Sequence, residues 1–334
     1  MTKIAINGFG RIGRAAYKIA HDRDDVEIVA INDLTNIPML AHLLAFDSVF
    51  GRYERTVEAL EDGIVVDGKK TKMFAEPDPQ KLPWKDLGVD VVLECTGVFL
   101  DAKKCATHLA AGAKKVVISA PPKDETKIFC MGCNDDKYDP QTDDIISNGS
   151  CTTNCVTPVL KVLEEEIGID RAMMSTVHSY TTTQNLVDGP NKDMLRARAA
   201  ALSIVPSTTG AAQAVSGVLP TLKGKFDGMS FRVPTPCVSV IDLVVKLKQS
   251  VTIEKVNSLF IAASKGPLGK YLTVESRPLV SSDFVKTKHS SIVDLSQTME
   301  LGGDLIKVIA WYDNEWAYSE RLVDMAFHVG SSIK

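Results

Sequence analysis

No uncharged apolar run in this chain approaches the ~18 residues that a membrane-spanning helix needs, and there is no internal repeat or low-complexity tract. Charge of one sign is not concentrated anywhere. The 38 Lys+Arg against 42 Asp+Glu leave a formal charge of -4 without a run of like charges, which argues against nucleic acid or a membrane surface as partner. Seven cysteines, an odd number without framework spacing, fit a reducing compartment better than a disulfide scaffold. Cys130 and Cys133 form a C-x-x-C with no second ligand pair at zinc-site spacing, so they read as structural and no metal is expected. A charged leader ahead of an apolar core is also missing: the chain opens on strand-like Lys3-Ile4-Ala5-Ile6, and a soluble, cytoplasmic protein is the expectation. Single cores tend to divide beyond about 250–300 residues, so a chain of 334 predicts two domains.

What is present centres on Ser147-Asn148-Gly149-Ser150-Cys151-Thr152-Thr153-Asn154-Cys155. A strand-like run (Asp144, Ile145, Ile146) precedes it, and apolar residues at helical spacing follow (Val156, Val159, Leu160, Val162, Leu163, Ile167), so Cys151 opens a helix. Free backbone N–H groups and the positive end of the helix dipole favour thiolate over thiol, which predicts a lowered pKa and a nucleophile. The surrounding hydroxyls and amide also suit an anion at a helix start.

At the N-terminus, Ile4-Ala5-Ile6-Asn7 runs into Gly8-Phe9-Gly10-Arg11-Ile12-Gly13-Arg14 and then a helical pattern (Ala15, Ala16, Ile19, Ala20). This is the strand, glycine turn and helix of a dinucleotide cradle. Gly8 permits the turn, Gly10 lets backbone approach the pyrophosphate, and Gly13 lets the helix close on the strand. A second strand (Val26 to Ile31) ends at Asp33, about twenty residues past the glycines, where a carboxylate bonds the adenine ribose and repels a 2′-phosphate. NAD is therefore expected over NADP. Further buried-type strands (Val89 to Cys95 and Lys115 to Ser119) flank a helix (Leu100 to Ala111), and ligands bind at the carboxyl ends of such strands. Thr96, Gly97 and Ser119 become candidate cofactor contacts.

After the Cys151 helix the alternation of strand and helix gives way to longer strands: Arg171 to Thr181, Met229 to Val233, Ser239 to Leu247, Ser291 to Met299 and Leu305 to Tyr312. The fold class expected is α/β, a Rossmann-type doubly wound parallel sheet followed by an α+β catalytic domain with a largely antiparallel sheet. The polar segment 180–200 is too long for an idle loop. Ser207-Thr208-Thr209-Gly210-Ala211-Ala212 starts another helix at a hydroxyl-rich end, a second possible anion site.

A dinucleotide half followed by an activated cysteine suggests oxidation through a covalent thiohemiacetal: a thiolate adds to an aldehyde, the carbon gives up a hydride, and a thioester remains. His178 is the best of the six histidines to handle the proton. Arg232, Arg196 and Arg198, with the hydroxyls of Ser150, Thr152, Thr181 and Thr209, could make one or two phosphate sites.

The stretches 7–14, 150–155, 207–212, Phe-Arg-Val-Pro-Thr (231–235) and Trp-Tyr-Asp-Asn-Glu-Trp (311–316) closely resemble phosphorylating glyceraldehyde-3-phosphate dehydrogenase over essentially the whole chain. The resemblance implies oxidation of glyceraldehyde 3-phosphate with NAD and inorganic phosphate to 1,3-bisphosphoglycerate. It implies Cys151 as nucleophile, with His178 activating it and stabilising the oxyanion. It implies cofactor contacts from Arg11, Ile12, Asp33, Ser119 and Asn314. Thr181 and Arg232 would bind the substrate phosphate, and Ser150, Thr152, Arg196, Thr209 and Gly210 the attacking phosphate and nearby oxygens. It also implies a homotetramer, a dinucleotide domain over 1–150 joined by a returning helix in 315–334, and a catalytic domain over 151–314. Two positions depart from the family pattern: Gly149 stands where Ala is usual, and Pro77 where a basic residue is often found. Two other readings remain. Erythrose-4-phosphate dehydrogenase would resolve the thioester with water, and a dinucleotide-fold binding protein would tolerate Cys151→Ser. A cysteine hydrolase would need neither Asp33 nor the glycine turn.

Overall fold

A computed structural model describes residues 1–333. The chain divides into two units, one formed by 1–129, 136–149 and the residues from Ser319 onward, the other by 130–135 and 150–318.

In the first unit the apolar runs become strands that are buried along most of their length, as expected for a parallel sheet covered on both faces. The elements are β1 (Thr2–Asn7), α1 (Arg11–His21), β2 (Val26–Asn32), α2 (Ile37–Ala45), the short pair β3 (Phe46–Asp47) and β4 (Gly51–Arg52), β5 (Val57–Leu60), β6 (Gly63–Val66), β7 (Lys69–Phe74), α3 (Trp84–Leu87), β8 (Val91–Glu94), α4 (Ala102–Ala110), β9 (Lys115–Ile118) and β10 (Ile145–Ser147). The sheet order is β10-β9-β8-β1-β2-β7-β6-β5. The first six strands pair in parallel, and β6 and β5 extend the edge as an antiparallel meander. Strand succession reverses between β1 and β8, and the carboxyl ends of these two strands mark the switch point where doubly wound sheets bind ligands. Trp84, Val92, Cys105, Val116 and Ile118 form much of the core behind this sheet.

The second unit contains α5 (Cys151–Glu166), β11 (Ile169–Ser179), β12 (Val205–Thr208), α6 (Ala211–Val218), β13 (Phe226–Val233), β14 (Ser239–Leu247), α7 (Ile253–Lys265), β15 (Leu272–Glu275), β16 (Ser291–Asp294), β17 (Met299–Leu301) and β18 (Leu305–Tyr312). Helix α8 (Trp316–Ser331) follows and belongs to the first unit from Ser319 onward. The sheet order is β12-β13-β11-β14-β18-β16-β15, with β17 beside β18. Most pairs are antiparallel, while β11–β13 and β15–β16 are parallel. β14 and β18 alternate buried and half-buried positions. Their inner residues Ile241, Leu243, Val245 and Val308 pack with Val156, Val159, Leu160 and Leu163 of α5 and with Val256 and Phe260 of α7.

Two expected elements differ. The run from Ser291 to Met299 is not one strand, because Asp294 accepts from Ser296 N and Oγ and starts a 3-10 turn that separates β16 from β17. The segment from Ser207 does not begin a helix at once. Ser207 and Thr208 pair with Ser230 and Met229 as the end of β12, and α6 starts at Ala211. Among the described residues no helix is long and apolar enough to cross a membrane, and no group of three or more His, Cys, Asp or Glu could hold a metal ion.

Candidate active site

The glycine turn of the first unit lies at the end of β1. Gly8 has φ +94°, and a Cβ there would meet Thr96 N at 2.6 Å; one on Gly13 would sit 2.2 Å from Gly8 O. Strand, turn and helix therefore close only with hydrogen at both sites. A Cβ on Gly10 would meet nothing within 4 Å, which leaves that face open to a ligand. The Asp33 carboxylate reaches back to the turn, accepting Phe9 N at 2.7 Å and Thr35 N at 2.9 Å. A cavity of 410 Å³ runs along these strand ends, lined by Asn7, Gly8, Gly10, Asn32, Asp33, Leu34, Glu76, Pro77, Pro79, Cys95, Thr96, Val98 and Phe99. No lysine or arginine lines it. Two carboxylates and apolar walls suit a ribose diol and an adenine ring and disfavour an added 2′-phosphate.

Other expected cofactor residues are placed as follows. Arg11 opens α1, with its guanidinium paired to Asp47 and lying over Phe50. Ile12 O accepts from Ser319 Oγ at 3.5 Å. Gly97 takes φ +71° just past Thr96, and Ser119 follows β9 and bonds the Cys95 thiol. Asn314 is in the second unit, buried, with its Oδ1 accepting from Ser239 Oγ at 3.1 Å.

In the second unit Cys151 is the first residue of α5. Ser150 caps the helix: its Oγ accepts Thr153 N at 3.0 Å, and its own N–H donates to Thr153 Oγ1 at 3.3 Å. The reciprocal cap fixes the helix start. Cys151 Sγ lies 3.3 Å from His178 Nε2. Parallel pairing of β11 with β13 sets His178 directly opposite Arg232. On the ring's other side His178 Nδ1 is 2.7 Å from Ser179 O and 2.7 Å from Arg232 Nη1, which also donates to Ser179 O at 3.0 Å. Arginine can only donate, so Nδ1 accepts while Arg232 rests there; Ser179 O is in place to accept a proton-bearing Nδ1.

The electrostatics follow from this packing. Burial pushes the Cys151 thiol up, opposed by the Arg232 charge, the Thr152 hydroxyl and N–H, and the N–H of Cys151 itself. The expectation that the helix start lowers this pKa is therefore corrected: the N–H groups do act in that direction, but burial outweighs them. Burial and then the Arg232 charge hold His178 down to about 3. Arg232 in turn is pulled down by burial, with Arg196 adding repulsion. Two guanidinium groups that disfavour each other make a site that an anion would relieve.

Around this centre, Arg196 donates to Ser207 Oγ from Nε at 3.0 Å and Nη2 at 2.6 Å. Arg198 is not drawn in; it is exposed and paired with Asp188. Thr181 Oγ1 lies 2.9 Å from Thr183 Oγ1. Thr209 Oγ1 accepts Ala211 N at 3.2 Å beside Gly210, the cap of α6. Thr152 is buried, its Oγ1 2.9 Å from Tyr312 Oη, which is also 2.9 Å from Thr176 Oγ1. Sequence reasoning did not single out Tyr312, whose ring meets that of His178 edge to face at 6.0 Å. Its only sequence signal was its place inside the 311–316 stretch.

A cradle for a dinucleotide and a helix-capped cysteine paired with a histidine define a nicotinamide-dependent dehydrogenase of the covalent type. Residues 2–102 match the family "Glyceraldehyde 3-phosphate dehydrogenase, NAD binding domain", and residues 150–314 its C-terminal domain. Glyceraldehyde-3-phosphate dehydrogenase of Geobacillus stearothermophilus is 53% identical over 329 residues, covering 98% of each chain. Glyceraldehyde-3-phosphate dehydrogenase 1 of Bacillus subtilis (strain 168) is 52% identical over 327 residues, again 98% of each. The Mycobacterium avium enzyme is 52% identical over 339 residues and 99% of each. The chain belongs to the glyceraldehyde-3-phosphate dehydrogenase family, and its cofactor is NAD.

Proposed function

We propose that this enzyme oxidises D-glyceraldehyde 3-phosphate with NAD and inorganic phosphate to 1,3-bisphosphoglycerate. The observation that carries the reading is the Cys151 Sγ–His178 Nε2 approach of 3.3 Å at the capped start of α5, with Arg232 on the other side of the ring. Once Arg232 turns from Nδ1 to the substrate's phosphate, Nδ1 of His178 carries the ring proton toward Ser179 O. The free Nε2 takes the thiol proton as Sγ bonds to the aldehyde carbon and returns it to the carbonyl oxygen, giving a thiohemiacetal. The imidazole then accepts the hydroxyl proton of that adduct while the carbon loses a hydride, leaving a thioester on Cys151. The chemistry that NAD supplies when bound is acceptance of the hydride. A phosphate oxygen adds to the thioester carbonyl, the C–S bond breaks, and the acyl phosphate leaves with Cys151 restored. Arg232 and Thr181 would hold the substrate's phosphate. Ser150, Thr152, Arg196, Thr209 and Gly210 would serve the incoming phosphate, an assignment supported by the mutual repulsion of the two arginines.

Gly8, Gly10, Gly13, Asp33, Thr96, Gly97, Ser119, Arg11 and Ile12 would hold NAD, and Asn314 its carboxamide. The open face at Gly10 and the 410 Å³ cavity, lined by two carboxylates and apolar side chains with no lysine or arginine, support this. The dinucleotide domain would comprise 1–150 and 315–334, the catalytic domain 151–314. Seven free cysteines support a cytoplasmic location. Exposed apolar side chains in the second unit support a homotetramer.

The test is NADH appearance from glyceraldehyde 3-phosphate with and without inorganic phosphate, with erythrose 4-phosphate in parallel. Sustained turnover that requires phosphate is expected. Turnover without phosphate and a preference for the four-carbon sugar would move the substrate assignment, and Cys151→Ser with full activity would remove the covalent step.

A further inference from the structure

Beneath the dinucleotide cavity lies a buried hydrogen-bond chain that the reaction does not use. Asn7, Asn32 and Glu94 are the last residues of β1, β2 and β8, in register with one another at the switch point. Glu94 is 1% exposed, and among the described residues no lysine or arginine pairs with it. Its carboxylate instead collects neutral donors. Asn7 Nδ2 and His108 Nε2 reach Oε2 at 2.6 and 3.2 Å, and Thr96 N reaches Oε1 at 2.8 Å, joined there by Thr96 Oγ1. Behind His108, Trp84 Nε1 donates to Nδ1 at 3.0 Å. An indole N–H can only donate, so Nδ1 is the acceptor and the ring's proton sits on Nε2, facing Glu94. In the other direction Asn7 Oδ1 accepts Asn32 Nδ2 at 2.7 Å, and the Asn32 amide clamps Glu76 by its N–H at 2.9 Å and its C=O at 3.0 Å.

Asn7, Asn32, Glu76 and Thr96 each line the cavity; Trp84, His108 and Glu94 do not. We propose that Trp84 and His108 are positioning residues for the dinucleotide: through Glu94 they hold the turn at Asn7 and the strand end at Thr96 in the spacing that NAD requires. Charge-assisted bonds to one buried carboxylate are directional, so removing one donor leaves the acceptor undersatisfied and lets its remaining partners move. The cost falls on the cradle's fit to NAD and not on the cysteine chemistry. The proposal rests on the reading that this cavity takes the dinucleotide.

The experiment is calorimetric titration of NAD into the full-length enzyme and its His108→Leu, His108→Gln, Trp84→Phe and Asp33→Ala variants, with KM for NAD and kcat measured alongside. Glutamine keeps an N–H donor for Glu94 together with a carbonyl acceptor; leucine keeps neither. His108→Leu should therefore lose at least as much thermal stability as His108→Gln. His108→Leu should weaken NAD binding by about tenfold, and His108→Gln by no more than about threefold, with kcat at saturating NAD unchanged in both. Trp84→Phe frees the ring to move its proton to Nδ1 and should also weaken binding, which keeps the idea testable if His108→Leu does not fold. Equal affinity of the leucine and glutamine variants, or wild-type affinity in Trp84→Phe and His108→Leu while Asp33→Ala binds weakly, would overturn the proposal. Wild-type affinity in Asp33→Ala as well would overturn the cavity assignment along with it.

Discussion

At the scale of a single residue, His178 links the site to the stability of the fold. It is 3% exposed and held at about 3 by burial and by Arg232, against an ordinary value near 6.5 in the unfolded chain. Between those two values the unfolded state binds a proton that the folded state does not, so stability rises with pH across the window and falls as the medium is acidified below about 6.5. Taking the protein from about pH 7 to about pH 5 should therefore cost about 2 kcal/mol through this one ring. Urea unfolding of wild type and His178→Asn at both pH values isolates the effect: the variant should lose less on acidification than the wild type. Equal losses would mean that the ring is not the titrating group. The pairing of His178 with Arg232 could not be seen in sequence, because it depends on the parallel register of β11 and β13, strands more than fifty residues apart.

At the scale of an element, the turn into α5 shows how far the sequence could be read. The strand-like run before residue 147 and the apolar residues at helical spacing after Cys155 predicted a helix beginning at Cys151, and the reciprocal cap between Ser150 and Thr153 is the physical reason it begins there. The sequence flagged Gly149 as a departure but not its conformation, which is left-handed at φ +63°. Glycine adopts that backbone freely, whereas a Cβ is strained there. Gly149→Ala should destabilise the protein by about 1 kcal/mol, with Gly149→Asn between the two because asparagine tolerates this region. The order of urea midpoints, glycine above asparagine above alanine, checks it; an alanine variant as stable as wild type would mean that the turn relaxes into another conformation. The glycine turn at 8–13 and the strands of the parallel sheet were legible because their signals are local: short spacings and continuous apolar runs. Strand β12 and the contact of Thr152 with Tyr312 were not, because each depends on a distant partner that local propensity does not reveal, and the break at Asp294, made by local bonds from Ser296, was masked by the apolar pattern around it.

At the scale of the whole molecule, the proposed tetramer can be tested on the exposed apolar side chains of the second unit. Met173 and Val177 share one face of β11, with Ser175 between them paired to Met229 on β13, and the three apolar side chains are exposed. Beside them Val244 and Leu305 line a 530 Å³ depression with the stem of Arg171. The segment after β11 adds Leu186, Val187, Met194, Leu202 and Ile204, of which Met194 is 89% exposed. Scattered single side chains of this kind are ordinary, but two groups in one unit support the proposed association. A closed assembly with more than one interface per subunit would cover both, and a homotetramer is the simplest such assembly of one chain. Sedimentation velocity should give a single species of four chains. Met173→Glu combined with Met229→Glu should break one interface and leave dimers, while Leu202→Glu should act on the other. A wild-type protein that sediments as one chain would rule out both surfaces as interfaces. Glutamates on either patch that leave a tetramer intact would place its contacts elsewhere.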